Sequence, residues 1–82
     1  MVTVLFFAQL KEQLGCDKME LQTDNINTIN DVYLKLQEHQ PSWQQIFKDT
    51  LLLCAVNQNM ADFETEIHDG DEIAFFPPVT GG

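Results

Sequence analysis

Apolar residues are concentrated in short segments, and the spacing within each segment indicates one kind of element. Residues 2–7 are rich in β-branched and aromatic side chains on both faces, which predicts a buried strand. Residues 18–23 alternate polar and apolar side chains, as in an edge strand with one face in solvent. Between them, residues 9–14 carry two leucines four positions apart and are followed by Gly15, which predicts a short helix with a glycine at its end.

One longer segment has the periodicity of a helix with a single apolar face. Apolar side chains recur at the i, i+3, i+4 and i+7 positions, which are Ile29, Val32, Tyr33 and Leu36. Thr28 and Asp31 have the spacing of a capping box, with Asp in place of the usual Glu or Gln. The helix is expected to reach about His39 and to end before Pro41. Tyr33 is assigned to the core, with its hydroxyl group directed to the surface.

The second half of the chain contains one further helix and three strands. Ser42 is predicted to cap a short helix together with Gln45, so that aromatic side chains of this helix can pack. Residues 51–56 form the longest apolar run and indicate a buried strand. Residues 57–59 are predicted to turn into another short strand. After an Asp-Gly turn signal, residues 72–76 complete the set as the last strand.

The order of these elements predicts an α+β protein with the ubiquitin-like β-grasp fold. In this fold a mixed sheet packs on one main helix, and the first and last strands lie side by side at its centre. An 82-residue chain has room for only one core. We therefore expect a β-grasp domain over residues 1–76 and a flexible C-terminal tail over residues 77–82.

Charge excludes several classes of partner. Thirteen acidic residues and four lysines give a net charge of −9, which repels nucleic acid and anionic membranes. The longest apolar run has six residues and is too short to span a bilayer. Since the N-terminal segment also lacks the pattern of a signal peptide, a cytoplasmic location is expected. The acidic surface would suit a basic docking groove, although solubility alone explains it equally well.

The residues that usually carry chemistry do not form a recognisable cluster. Cys54 lies in an apolar run and is assigned to the core, whereas Cys16 follows a turn and is expected to be exposed. With His39 and His68, which are assigned to the surface, they do not have the spacing of a zinc site. The sequence contains no phosphate-binding glycine loop and no paired nucleophile and base. We expect no bound metal, no stably bound cofactor and no independent catalytic site.

The C-terminal segment is the most informative part of the chain. Pro77 and Pro78 cannot donate ladder hydrogen bonds, so they are expected to end the last strand and direct the tail outward. Gly81 and Gly82 lack Cβ atoms and can enter a narrow channel. From Pro78 the extended tail would reach roughly 15 Å. The carboxylate of Gly82 is therefore the best candidate for the working group.

Three segments together resemble one family over the whole length of the chain. They are VLFFA at residues 4–8, AVNQ at residues 55–58 and DGDEIAFFPPVTGG at residues 69–82. They resemble the family of small, sulfur-carrying subunits of molybdopterin synthase. The terminal block is the most specific of the three, since a Gly-Gly ending alone would be weak evidence.

The resemblance implies a cycle in which the chain carries sulfur at its terminus. An adenylating enzyme of the ubiquitin-activating type would use MgATP to convert the carboxylate of Gly82 into a glycyl adenylate. A sulfurtransferase or another persulfide donor would then supply sulfur to form a thiocarboxylate. In a complex of two carriers with two large subunits, the tail would insert into the large subunit and donate its sulfur to cyclic pyranopterin monophosphate.

The resemblance also implies a partner-binding surface. It would include Phe76, Met60 and Lys11, which match positions that contact partners in the family. The tail residues Pro77, Pro78, Val79 and Thr80 would contact the partner as well, while Gly81 would thread the channel. Neighbouring residues on a strand point to opposite faces, so one of Phe75 and Phe76 is expected in the core and the other on the surface.

Three alternatives remain at this point. A related carrier with the same fold and tail would deliver sulfur for thiazole or another thiolated product. A ubiquitin-like modifier would form isopeptide bonds through Gly82. A plain interaction module would have an inert terminus.

Overall fold

The computed structural model describes residues 1–78, so the predicted tail residues Val79, Thr80, Gly81 and Gly82 lie outside the described part. The described chain is an α+β domain with five strands and three helices. In chain order the elements are β1 (Val2–Phe6), α1 (Ala8–Leu14), β2 (Lys18–Leu21), α2 (Ile29–His39), α3 (Trp43–Asp49), β3 (Leu53–Val56), β4 (Asn59–Ala61) and β5 (Glu72–Phe76). The main helix and the five predicted strands are present, although the strand predicted over residues 51–56 begins later. The division between a 1–76 domain and a 77–82 tail stays a prediction.

The strands form a single mixed sheet in the order β2-β1-β5-β3-β4. The first and last strands are parallel neighbours at its centre, with Val4 opposite Ile73 and Phe6 opposite Phe75. The other neighbouring pairs, β1–β2, β3–β5 and β3–β4, are antiparallel. This is the predicted ubiquitin-like β-grasp arrangement, and it places β5 between two other strands.

The core lies between one face of the sheet and the helices. Its fully buried side chains come from β1, α1, α2, β3 and β5: Val2, Val4, Phe6, Leu10, Ile29, Val32, Leu36, Cys54, Ile73 and Phe75. Tyr33 is half-buried against this core, and its ring stacks on Phe47 at 5.2 Å between ring centroids. The packed face of the sheet is therefore apolar along its length.

The ends of the first two helices have the predicted geometry. Gly15 ends α1 in the left-handed region, with φ of 68°, and its N–H donates to the carbonyl of Lys11. At the start of α2, the Asp31 N–H donates to Thr28 Oγ1, while Asp31 Oδ2 accepts from the N–H of Thr28 at 3.1 Å. The capping box is thus confirmed, with Asp in the role of Glu.

Two predictions about the chain after α2 are wrong. Ser42 makes no side-chain capping bond, because it already has helical backbone angles and the first amides of α3 donate instead to the carbonyls of Gln40 and Pro41. The Gln45 side chain donates to Asp49 Oδ2 rather than taking part in a cap. The buried strand predicted from residue 51 begins only at Leu53, since Leu51 lies in the linker after α3 and is 73% exposed.

Two turns at the same end of the sheet are joined by side-chain hydrogen bonds. The two-residue turn of the β3–β4 hairpin has positive φ at Asn57 (48°) and Gln58 (71°), as a type I′ turn requires. Asn57 Nδ2 donates to Asp71 Oδ1 at 3.0 Å, and Asn57 Oδ1 accepts from the N–H of Glu72 at 3.0 Å. The second carboxylate oxygen of Asp71 accepts from the N–H of His68 at 2.8 Å. These bonds fix the start of β5.

We expect acid to weaken the fold through Asp31 and Asp71. Backbone N–H groups, led by those of Asn27 and His68 respectively, lower the pKa of each carboxyl below 3.8. A carboxyl with a lowered pKa in the folded state stabilises the fold above its unfolded pKa, and this stabilisation is lost as the pH falls below about 4. In urea unfolding, Asp31→Asn and Asp71→Asn should each reduce the fall in midpoint between pH 7 and pH 3.

The matched control for this measurement is Asp24→Asn. Asp24 is exposed, and within residues 1–78 its carboxylate accepts no hydrogen bond. This variant should follow the wild-type acid response. Equal responses in all three variants would show that the two bonded carboxylates contribute nothing specific to acid unfolding.

Candidate functional site

The last described residues leave the middle of the sheet. Because β1 and β5 are parallel, both strands end at the same side of the molecule, which we call the tail end. Helix α1 follows β1 there, and the N–H of Phe7 donates to the carbonyl of Phe75 at 3.3 Å. Pro77 and Pro78 follow β5 at this end and are half-exposed. The two prolines thus end the strand as predicted, next to α1.

Phe75 and Phe76 have opposite environments, as predicted. Phe75 is fully buried, and its ring lies 6.1 Å from the ring of Phe63 and 6.4 Å from that of Phe6. Phe76 points to the other face, where it is partly exposed and pairs in register with Leu53. Phe76 is therefore the phenylalanine that a partner can reach, while its role in binding stays a prediction.

The face of the sheet that carries Phe76 has an apolar surface, which we call the open face. The strand register brings six apolar side chains together on it: Leu5, Leu53, Ala55, Met60, Ala74 and Phe76. Leu5, Ala74, Ala55 and Met60 form one row across four strands, which spans about 15 Å at the usual strand spacing. Met60 is the most exposed member of this row, whereas Ala55 is buried at its centre with an exposure of 7%.

Met60 and Lys11, two further predicted contact residues, both have exposed side chains. Met60 is 66% exposed at the outer edge of the open face, on β4. Lys11 is exposed on α1, and its side chain takes part in no ion pair among residues 1–78. Phe76, Pro77 and Pro78 thus lie at the tail end next to α1, the helix that carries Lys11, whereas Met60 lies two strands from Phe76 at the level of Ala74.

A groove that the sequence did not reveal lies at the root of the tail. Its volume is about 320 Å³, and it is lined by Gln9, Leu10, Gln13, Asp49, Thr50, Leu51, Pro77 and Pro78. Leu51 is the most exposed large apolar side chain in the described part of the chain. Leu51 begins the apolar run of residues 51–56, so the sequence predicted that it would be buried in a strand.

The two cysteines have different environments. Burial raises the pKa of the Cys54 thiol, with a smaller contribution from the charge of Asp62, so Cys54 behaves as a core side chain. Cys16 is half-buried rather than exposed, because its side chain packs against the core. His39 and His68 lie on the surface, as expected. Residues 1–78 contain no group of three His, Cys, Asp or Glu side chains placed to hold a metal ion.

The helices of the described chain are short. The longest, α2, has 11 residues, whereas a membrane-spanning helix needs about 20 apolar residues.

Comparisons by sequence and by structure both find relatives that match nearly the whole chain. The model of the ThiS family matches residues 4–82. The molybdopterin synthase sulfur carrier subunit of Escherichia coli is 43% identical over 82 residues, which cover 100% of both chains. The crystal structure of SAMP1 from Haloferax volcanii superimposes with a TM-score of 0.79 at 29% identity and covers 99% of this chain and 98% of the other.

A third relative was solved together with a partner. It belongs to a complex of subunits 1 and 2 of the molybdopterin-converting factor from Helicobacter pylori. Its TM-score is 0.70 at 28% identity, and the match covers 99% of this chain and 97% of the other. With a family match over nearly every residue and a full-length relative at 43% identity, this chain belongs to the ThiS family of ubiquitin-like β-grasp proteins.

Proposed function

We propose that this chain is the sulfur carrier subunit of a molybdopterin synthase. The main support for the proposal is the position of Pro77 and Pro78, where the predicted tail begins. A strand held in the centre of the sheet ends in Pro77 and Pro78, beside an apolar open face and a lysine-bearing helix. A rigid domain of this kind presents a terminus to partner enzymes without supplying catalytic groups itself. Curated relatives that match the whole chain have the same function in their names.

The proposed cycle begins with activation of the terminus. A free carboxylate is a poor acyl donor, so an adenylating enzyme uses MgATP to join the Gly82 carboxylate to the α-phosphate, with release of pyrophosphate. The resulting mixed anhydride has AMP as a good leaving group. The outer sulfur of a persulfide then attacks the carbonyl carbon and displaces AMP, which gives an acyl disulfide. A second thiol cleaves the S–S bond, so that a thiocarboxylate remains on Gly82 and the two thiols are left as a disulfide.

The second half of the cycle takes place in a complex with the large subunit. The tail, with Val79, Thr80 and Gly81 in a narrow channel, presents its sulfur to cyclic pyranopterin monophosphate. Two such transfers, one sulfur from each loaded carrier, build the dithiolene that holds molybdenum, and water hydrolyses each spent acyl group so that the carrier returns as a carboxylate. Two carriers and two large subunits make up the proposed assembly, which works in the cytoplasm.

The open face is the surface that we assign to the large subunit. Met60 and the partly exposed Phe76 provide apolar contacts, and Lys11 on α1 provides a positive charge in a chain of net charge −9. A related pair of subunits forms a solved complex in Helicobacter pylori. Apolar residues at the centre of an interface with charged residues at its rim are the usual arrangement in protein complexes.

A second candidate function is protein modification through Gly82. It is favoured by the similarity to SAMP1 of Haloferax volcanii, a small archaeal modifier protein. A modifier and a sulfur carrier share the adenylation step and differ in the group that displaces AMP. Lysine conjugates that resist thiols and require Gly82 would identify the modifier.

The test begins with the purified full chain, the adenylating enzyme, MgATP, a persulfide donor and a thiol reductant. Intact mass should increase by the difference between one sulfur and one oxygen. The loaded carrier should then form dithiolene with the large subunit and cyclic pyranopterin monophosphate. Transfer of sulfur only to a thiazole-forming enzyme would assign the chain to the related carriers instead. An unchanged mass, together with the absence of lysine conjugates, would leave only an interaction module.

A further inference from the structure

The outer edge of β2 has backbone groups without a strand partner in the described domain. The N–H of Phe6 donates to the carbonyl of Asp17 at 3.0 Å, which fixes the residues of this segment that bond toward β1. Hydrogen bonding alternates along an antiparallel strand, so Met19 and Leu21 also bond toward β1. The N–H and C=O groups of Lys18 and Glu20 therefore point away from the sheet.

The side chains of the same two residues carry opposite charges. Lys18 and Glu20 are both exposed, and their spacing of two residues places them on the open face of the sheet. Lys18 is opposite Leu5 in β1, and Glu20 is opposite Thr3. The edge thus combines four outward backbone groups with one positive and one negative side chain, while the half-buried Met19 lies between them.

We propose that the edge of β2 pairs with β2 of a second copy of this chain. In a two-fold antiparallel pair centred on Met19, Lys18 of each copy lies opposite Glu20 of the other. Both residues have outward backbone groups, so each such pair exchanges two N–H···O=C bonds. The result is a symmetric contact with four backbone hydrogen bonds, two ion pairs and a continuous ten-stranded sheet.

The register is determined by the same residues. If one copy were shifted by one residue, backbone N–H and C=O groups that point outward would lie opposite residues that already bond to β1. The hydrogen bonds between the two copies would then be lost. A shift that keeps the ladder would place Lys18 opposite Lys18 or Glu20 opposite Glu20, which is unfavourable. The Lys18 carbonyl accepts a bond from the Cys16 thiol at 3.3 Å, and its second lone pair remains for the other copy.

The other edge of the sheet lacks this self-complementarity. On β4 only Met60 lies between the two hydrogen-bonded pairs, so it alone directs backbone groups outward, and Asn59–Ala61 carries no charge. The net charge of −9 on each copy opposes association, so the pairing is weak and becomes populated at high protein concentration. The second copy is the partner that the charge pattern of β2 fits.

Amide hydrogen exchange of the full chain at rising protein concentration tests the contact directly. The amides of Lys18 and Glu20 should become protected as concentration increases to about 1 mM, because they are bonded only in the pair. The amides of Met19 and Leu21 serve as internal controls, since they already bond to β1 in a single copy. Their exchange should depend on concentration much less.

Charge exchange separates the ion pairs from the effect of net charge. Lys18→Glu and Glu20→Lys change the net charge in opposite directions, yet each should abolish the concentration dependence of the sedimentation coefficient. The double variant keeps the net charge of −9 and exchanges the two partners of each ion pair. It should restore association to the wild-type level.

Three results would overturn the proposal. The first is exchange at Lys18 and Glu20 that stays independent of concentration while the protein sediments as a monomer. The second is self-association that protects Met60 and leaves the β2 amides unchanged. The third is a double variant that remains as monomeric as the two single variants.

Discussion

Deleting Gly82, or adding one residue after it, should abolish sulfur transfer and leave the melting temperature nearly unchanged. The proposed chemistry needs a glycine carboxylate at one position in the active site of the adenylating enzyme, and either change moves it by about 3.5 Å. The fold does not depend on this position, because the buried side chains identified in the described chain end at Phe75. Intact mass after loading measures the first effect, and circular dichroism during heating measures the second.

Gly81→Ala provides a graded control for this experiment. The variant keeps the terminal glycine carboxylate and adds one Cβ to the segment that enters the channel. We expect it to accept sulfur more slowly than the wild type, whereas the deletion accepts none. Unfolding of the deletion variant, or normal loading of the extended one, would contradict the separation of fold and chemistry.

Phe75→Ala should have the largest effect on stability, a loss of about 3–5 kcal/mol in the free energy of unfolding. The side chain is fully buried and lies among the rings of Phe6, Tyr33 and Phe63. Its removal leaves a cavity in the core under the centre of the sheet. Because β5 is hydrogen-bonded to a strand on each side, it cannot move inward to fill this cavity. The urea midpoint at pH 7 measures this loss.

The neighbouring variant Phe76→Ala is the matched comparison. It removes the same side chain from the opposite face, where Phe76 is partly exposed, so its loss of stability should be much smaller. Its effect should appear instead as about 10-fold or greater weakening of binding to the large subunit. Leu34→Ala, which removes a half-exposed leucine from α2, should leave the affinity unchanged. If the wild type, Phe76→Ala and Leu34→Ala bind the large subunit with equal affinity, the open face is excluded as the docking surface.

Much of the fold could be predicted because its strongest signals are local. The left-handed end of α1 requires a residue such as Gly15, and the capping box at Thr28 specifies the first turn of α2. Alternation in β2 and the double phenylalanine at the end of β5 determined the burial of their side chains. Each of these features depends on residues within a few positions of one another.

The features that were missed depend on distant parts of the chain. A run of leucines cannot show that β3 begins at Leu53, because its start is set by pairing with Phe76. Ser42 is a residue type that often caps helices. The first N–H groups of α3 instead donate to carbonyl groups of the preceding turn, so they do not need its side chain. The open face is assembled by register across four strands, and sequence spacing alone does not give that register.

The central position of the last strand also governs when the domain can form during synthesis. Thr3 pairs with Glu72, so the sheet cannot close until residues 72–76 have left the ribosome. A nascent chain that stops before residue 72 lacks the strand between β1 and β3 and exposes apolar side chains from both. We therefore expect a chain terminated before β5 to stay unfolded, so the integrity of the domain depends on the strand that leads to the tail.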